Sequence, residues 1–263
     1  KIVFLSKLLL NDPEMTLQRR NFISSALLAL VSFMLFSCDN DSKSTIITRI
    51  DGSFPAFKGK SVSVSEFGIN EAIPIDTVKI DDRGNFRFKI RRTGAGFYLI
   101  KTDNRNFITL VLDKEKKITV SSDGKNLRKS YSVKGSPDSE LYRDFEMFLE
   151  TNRTKVDSLS DLYRNYQRSS TFSSIQPELD GRYKEIFDHQ RTYSLQFIEN
   201  HCSSLASLLV INRRFGERKI LDDMKDFDYY LKIDSCLTPI YSGNMHLDEH
   251  KRKIEAIRQE RKT

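Results

Sequence analysis

Cysteine and histidine have the widest chemical range of this chain's side chains, with three of the first and four of the second among 263 residues. Cys202 and Cys236 are too far apart for a Cys-x-x-Cys redox motif, and local thiolate stabilisation is not evident around either. In an oxidising compartment the two can pair, and closing a loop of that length would stabilise by roughly 3–4 kcal/mol on the chain-entropy model. The other reading is two buried cysteines on helices, behaving as small apolar residues. His246-Leu247-Asp248-Glu249-His250 matches the His-x-x-Glu-His string of zinc peptidases, with two imidazoles one helical turn apart. That chemistry needs a third ligand further along and a cleft, and only a short tail follows His250, so a solvated helix start is the reading adopted. His189 and His201 have no companions. Without a nucleophile–base pair, a metal set or a phosphate loop, no catalytic residue, metal or cofactor is assigned.

Composition narrows the class further. The formal charge is +7, from 43 Lys and Arg against 36 Asp and Glu, and no block of five like charges occurs. A dedicated nucleic-acid binder concentrates its charge, so nucleic acid is not an expected partner. Three cysteines exclude a disulfide-dense mini-fold and a multi-cysteine zinc or iron–sulfur scaffold. Hydrophobic residues at 38% suffice for a core, and charged residues at 30% solvate its surface. Near the C-terminus Lys251, Arg252, Lys253, Arg258, Arg261 and Lys262 alternate with Glu249, Glu255 and Glu260. Glu249–Lys253 and Lys251–Glu255 are i,i+4 pairs, which suits a solvated face; contact with an anionic membrane surface is the sharper alternative.

The N-terminus reads as an address. From Met15 a short positive stretch with Arg19 and Arg20 precedes an uncharged apolar run from Phe22 to Phe36. Fifteen helical residues reach only about 22 Å, short of a hydrocarbon core of roughly 30 Å, so the run suits a signal-peptide core better than a stable span. It ends Leu35-Phe36-Ser37-Cys38 and turns abruptly polar, which resembles a bacterial lipobox, although Phe36 is bulkier than usual there. An acylated Cys38 would hold the protein on a membrane, since two or three acyl chains anchor durably at about 0.8 kcal/mol per buried methylene. A plain secretory signal or an uncleaved anchor is the other reading, and Arg19-Arg20 also resembles a twin-arginine signal. Residues 1–14 are expected to be an upstream extension, 15–37 a lipoprotein signal peptide, and 38–44 an acylated start and linker. Loss of 1–37 removes four basic and two acidic residues, taking the charge from +7 to +5.

The elements follow from hydrophobic period. Over 45–135 the period is two, and eight short strands are predicted, among them Ser61-Val62-Ser63-Val64-Ser65 and Phe86-Arg87-Phe88-Lys89-Ile90. Asp82-Arg83-Gly84-Asn85 is the clearest turn, because Gly84 can take the positive φ of a tight hairpin. At Gly135-Ser136-Pro137-Asp138 the period becomes helical, with Ser136 as N-cap and Pro137 in the first helical position. Helices are expected from there to about Tyr166, from near Pro177 after a polar break at 169–176, over 203–215 and 227–236, and from Leu247 onward. The fold class is therefore α+β: an antiparallel β-sandwich or open barrel over 45–135, then an all-helical module over 136–263.

This order resembles the N-terminal half of Bacteroidota lipoproteins of the thiol:disulfide interchange (TlpA/ResA-like) group, in which a β domain of unassigned function precedes a thioredoxin-like domain. The resemblance is carried by Asp76-Thr77-Val78-Lys79-Ile80-Asp81 through Gly84-Asn85-Phe86-Arg87-Phe88, by Gly96-Phe97-Tyr98-Leu99, and by Tyr131-Ser132-Val133-Lys134-Gly135-Ser136-Pro137-Asp138-Ser139. His201-Cys202-Ser203-Ser204-Leu205 and Asp234-Ser235-Cys236-Leu237 extend it over about 38–263. The chain has no Cys-x-x-Cys, so the group's redox residues map to nothing here. The last helix has no Gly, Asn or Pro stop signal, and a further domain is expected to follow. The resemblance also implies O-glycosylation at Asp76-Thr77-Val78 and Asp157-Ser158-Leu159, provided Thr77 and Ser158 are exposed. The expected role is a lipid-anchored envelope protein, a non-catalytic docking or spacer region beside a thioredoxin-like domain or another envelope protein. The alternative is a stand-alone binding or structural lipoprotein.

Overall fold

Strict alternation in the first half of the chain builds two sheets whose inner faces share one core. The computed structural model describes residues 45–103 and 106–262; the expectations for 1–44, Cys38 included, lie outside the described residues. The strands are β1 (Ile46–Ser53), β2 (Ser61–Phe67), β3 (Ala72–Lys79), β4 (Asn85–Arg92), β5 (Gly96–Lys101), β6 (Phe107–Leu112), β7 (Lys117–Ser122) and β8 (Tyr131–Lys134). They form a sheet of order β4-β1-β7-β8 and another of order β3-β2-β5-β6. Ile50, Val62, Val64, Phe88, Ile90, Ile100, Leu110 and Val120 fill the space between them. In β4 the burial alternates without a break, with Phe86, Phe88, Ile90 and Arg92 inward. Burying each such large apolar side chain contributes roughly 1.5–3 kcal/mol.

Turn chemistry sets the β3–β4 connection. The Asp81 carboxylate accepts from the backbone N–H groups of Arg83 and Asn85, and Gly84 adopts φ +86°. A Cβ at Gly84 would also stand 2.5 Å from Pro55, so this turn admits no other residue without displacement.

The molecule is α+β, a sheet region followed by helices. One pairing departs from the antiparallel expectation: β1 runs parallel to β7, with Ile50 opposite Ile118 and Gly52 opposite Val120. A parallel neighbour needs a long crossover, and here the crossover is the second sheet itself.

The helices are α1 (Leu127–Ser130), α2 (Pro137–Tyr166), α3 (Phe172–His201), α4 (Ala206–Ile211), α5 (Phe227–Tyr241) and α6 (Met245–Glu260), with a small hairpin of β9 (Arg214–Phe215) and β10 (Arg218–Lys219) after α4. They make a third layer on the second sheet. The reason lies in β5 and β6, whose apolar residues do not alternate with polar ones. Tyr98, Ile100 and Leu110 face the sandwich, whereas Phe97 and Val111 join the helical core of Tyr142, Phe145, Leu149, Phe197 and Tyr230.

Three boundaries differ from the sequence expectation. Helix α3 starts at Phe172 rather than near Pro177, because Phe172 packs edge-on against Tyr163 at 5.0 Å and holds an extra turn ahead of the proline. The expected helix over 203–215 shortens to α4, since Gly216 at φ +61° reverses the chain into the β9–β10 hairpin. Helix α5 continues through Pro239 to Tyr241, past the expected end at Cys236. Among the described residues no helix is long and apolar enough to cross a membrane.

Candidate functional site

The switch from sheet to helix is a built joint. Strand β6 is the edge of its sheet, so the outward N–H and C=O of Val111 lack a neighbouring strand. Ser139 Oγ accepts from the Val111 N–H at 2.8 Å, and Ser136 Oγ donates to the Val111 carbonyl at 2.7 Å. The two serines of the α2 start thus take the place of a ninth ladder partner and close the edge. Ser136 is also the N-cap, accepting from Ser139 N, while Glu140 accepts from Gly135 N at 2.8 Å. Gly135 sits at φ +89°, where a Cβ would meet the Lys117 carbonyl at 2.9 Å. Asp138 then ties α2 to α4 by accepting from Leu205 N at 3.2 Å; burial raises its pKa, against the bonds from Ser204 and Leu205. The sequence marked this segment as a helix start, but nothing in it showed that the same serines would seal a sheet edge.

Cys202 and Cys236 form a disulfide, Cα to Cα 5.7 Å, linking the end of α3 to α5. Neither sulfur is therefore a nucleophile or a metal ligand.

The His-x-x-Glu-His string opens α6, two residues past the N-cap Asn244, whose side chain accepts from His246 N and Leu247 N. Both imidazoles are packed against neighbouring groups. His246 packs on the Phe97 ring at 4.4 Å and bonds the Phe67 backbone. His250 is buried, lies parallel to the Tyr230 ring, and bonds the Tyr230 carbonyl through Nε2 at 2.9 Å. A carbonyl only accepts, so the neutral ring carries its proton on Nε2 and keeps a lone pair on Nδ1. Burial pulls both histidines below the usual range, which keeps them uncharged at neutral pH. Among the described residues no group of three or more His, Cys, Asp or Glu side chains is placed to hold a metal ion.

These histidines do line a cleft of about 360 Å³ where the β2–β3 turn meets α4 and α6. Phe67 and Ile69 form its exposed mouth, and Phe97 and Leu208 its wall. Its cations already have partners: Arg213 pairs with Glu146 at 2.7 Å, and Lys253 meets Asn212 Oδ1 at 2.7 Å and Asp223 at 3.3 Å. The Tyr230 hydroxyl donates to Asp223, and burial together with that carboxylate drives its pKa far above the phenol range. The cleft can hold an apolar group.

Thr77 lies exposed on the edge strand β3, and Ser158 lies exposed on the outer half of α2. Neither is near the cleft or the joint, so the residues singled out from the sequence do not converge. Sequence reasoning also passed over Arg92, buried in the sandwich with its guanidinium on Thr48 Oγ1 and the Gly94 and Glu115 carbonyls. The signal for it was present: an arginine on the inward register of β4.

The fold is a double-sheet sandwich capped by helices, joined through Ser136 and Ser139. Residues 48–142 match the family described as Domain of unknown function (DUF4369). The match runs past the sheet region into α2, so it includes the Ser136–Ser139 joint. No curated protein matches the chain.

Proposed function

We propose that this chain is a lipid-anchored, non-catalytic docking or spacer region of a thioredoxin-like thiol:disulfide oxidoreductase of the cell envelope. The observation that carries the reading is the DUF4369 match at 48–142, since that domain is in general associated with Bacteroidota thioredoxin-like proteins. The disulfide between Cys202 and Cys236 supports an oxidising compartment. The described residues from 45 to 262 form one compact unit, and the serine joint locks sheet to helix, which suits a spacer of fixed length. Acylation of Cys38 would tether that unit, and Thr77 and Ser158 have the exposure that O-glycosylation requires.

The test is expression in a Bacteroidota host with palmitate labelling. Label in the wild type and none in Cys38→Ala supports the tether; an unlabelled wild type in the soluble lysate removes it. Reading the nucleotide sequence beyond Thr263 tests the redox partner, and continuation into a Cys-x-x-Cys segment is the expected result. The second reading, a stand-alone binding lipoprotein, is favoured by the apolar-mouthed cleft at Phe67 and Ile69, and an immediate stop codon would favour it.

A further inference from the structure

A groove distinct in its lining from that cleft runs along α2 and α3, and its two ends differ in chemistry. One end, about 480 Å³, collects Arg128 from α1, Arg153 from α2 and Arg218 from β10. The other, about 270 Å³, lies between the outer halves of α2 and α3 and is walled by Leu159, Tyr163 and Leu179. Val156 and Tyr183 line both, so the two ends are continuous.

The basic end is preorganised. The Arg128 guanidinium lies over the Phe107 ring at 4.2 Å, and that of Arg218 over Phe187 at 3.8 Å. Stacking fixes the planes and leaves the N–H edges free to donate. Among the described residues, neither guanidinium has a carboxylate in ion-pair contact or a hydrogen-bond acceptor. Arg153, by contrast, pairs with Glu150 at 3.5 Å, and Lys129 approaches the same carboxylate at 3.9 Å. The remaining acids at this end, Asp157 and Glu217, are exposed to water. Burial, with Arg153 and Arg213 nearby, depresses the Arg128 pKa against the opposing pull of Glu146 and Glu150.

From these contacts we infer that the groove binds an anionic amphiphile, a carboxylate or phosphate head on an apolar tail. The head takes the N–H edges of Arg128 and Arg218, for which charge-assisted, bidentate bonds are the natural complement. The tail passes Val156 and Tyr183 and lies between Leu159 and Leu179 as far as Tyr163. Val156 to Tyr163 is two helical turns, about 10 Å, which sets the tail length that the groove can cover. A neutral apolar ligand would leave both guanidiniums without partners, and a bare anion would leave the apolar half open to water.

The test is calorimetric titration of the full chain carrying Cys38→Ser, so that no attached acyl group competes. The probes are decanoate, decyl phosphate, decanol and inorganic phosphate. Both decyl anions are expected to bind at least about tenfold more tightly than decanol or phosphate alone. The pair Arg128→Ala and Arg218→Ala should cost the anions about that factor and leave decanol unchanged, with circular dichroism verifying that the variant folds. Leu159→Ser should weaken both anions and decanol alike. Tighter binding of decanoate would assign a free fatty acid as the source, and tighter binding of decyl phosphate a phospholipid head group. Equal affinity for decanol and the anions, equal affinity for phosphate with and without the tail, or no response to loss of both arginines would each overturn the proposal.

Discussion

At the base of the α2–α3 hairpin Tyr142, Phe145 and Leu149 are buried against Phe197 and Ile198, whereas near its tip Leu162, Tyr163 and Tyr166 stand exposed on the same helix. Both ends of α2 carry large apolar or aromatic residues at helical spacing, and both have a partner in α3. The base alone has a third surface, because Phe97 and Val111 of the second sheet project into it. Asn152 and Gln190, buried and bonded to each other at 2.9 Å, lie between the two ends, and the core thins beyond them through Phe187, Val156 and Tyr183. A helical stripe therefore states which face of a helix is apolar; whether that face is covered depends on what else the chain brings there.

The comparison can be broken most directly at Phe145, which is wholly buried and touches the rings of Tyr142, Tyr193 and Phe197. Phe145→Ala should cost about 3–5 kcal/mol in urea unfolding, the range for truncating a packed aromatic. If the loss stays below about 1 kcal/mol, the base is no better packed than the tip and the contrast fails.

The disulfide fastens the same end. Cys202→Ala together with Cys236→Ala should lower stability by roughly 3–4 kcal/mol, because the unfolded chain regains the freedom of a loop spanning 34 positions. Chemical unfolding with and without reductant reads the same quantity in the wild type.

Two serines on α2 sharpen the contrast at the level of single hydroxyls. Ser139→Ala removes the hydroxyl that accepts from the buried Val111 N–H and should cost about 1–3 kcal/mol. Ser158→Ala removes a bond to the Thr154 carbonyl on an exposed surface and should change the melting temperature by no more than the measurement error. Comparable losses in the two variants would show that the joint is not structural.

Acid should loosen the base through its histidines. The folded-state pKa of His250 is depressed by burial, so the unfolded chain takes up a proton first as pH falls. Stability is then present above the ordinary histidine value of 6.5 and is lost as pH drops from there toward the lower folded value. His246 is shifted in the same direction, so His250→Gln should shrink this slope without abolishing it in melts between neutral pH and pH 5. A slope unchanged in His250→Gln would mean that some other group is responsible.

The smallest effect is expected at the tip. Leu162→Ala, at a site 37% exposed, should change unfolding by less than about 0.5 kcal/mol.

Much of the architecture was readable in advance where a local rule governs it. The first half holds the eight strands expected of it, although β5 and β6 do not alternate, and the helix start at Pro137 follows from its N-cap and first-turn acids. Reading failed where a partner distant in sequence decides. The parallel β1–β7 pairing, the extra turn of α3 held by Tyr163, and the hairpin after α4 each depend on such a neighbour. The His-x-x-Glu-His string shows the same limit for the site. Its spacing fits a metal pair, yet among the described residues no third possible ligand joins it, and the imidazoles pack against the Tyr230 carbonyl and the Phe97 ring.

By itself the sequence determined the α+β class, the position of the change from period two to period 3.6, and the lack of a Cys-x-x-Cys pair, since composition and short-range spacing carry all three. Only the tertiary structure decided that Ser136 and Ser139 close a sheet edge, that Cys202 meets Cys236, and that Arg128 and Arg218 face one groove. Each of these joins residues far apart in the chain, and such meetings are fixed by how whole layers pack rather than by any local run of side chains.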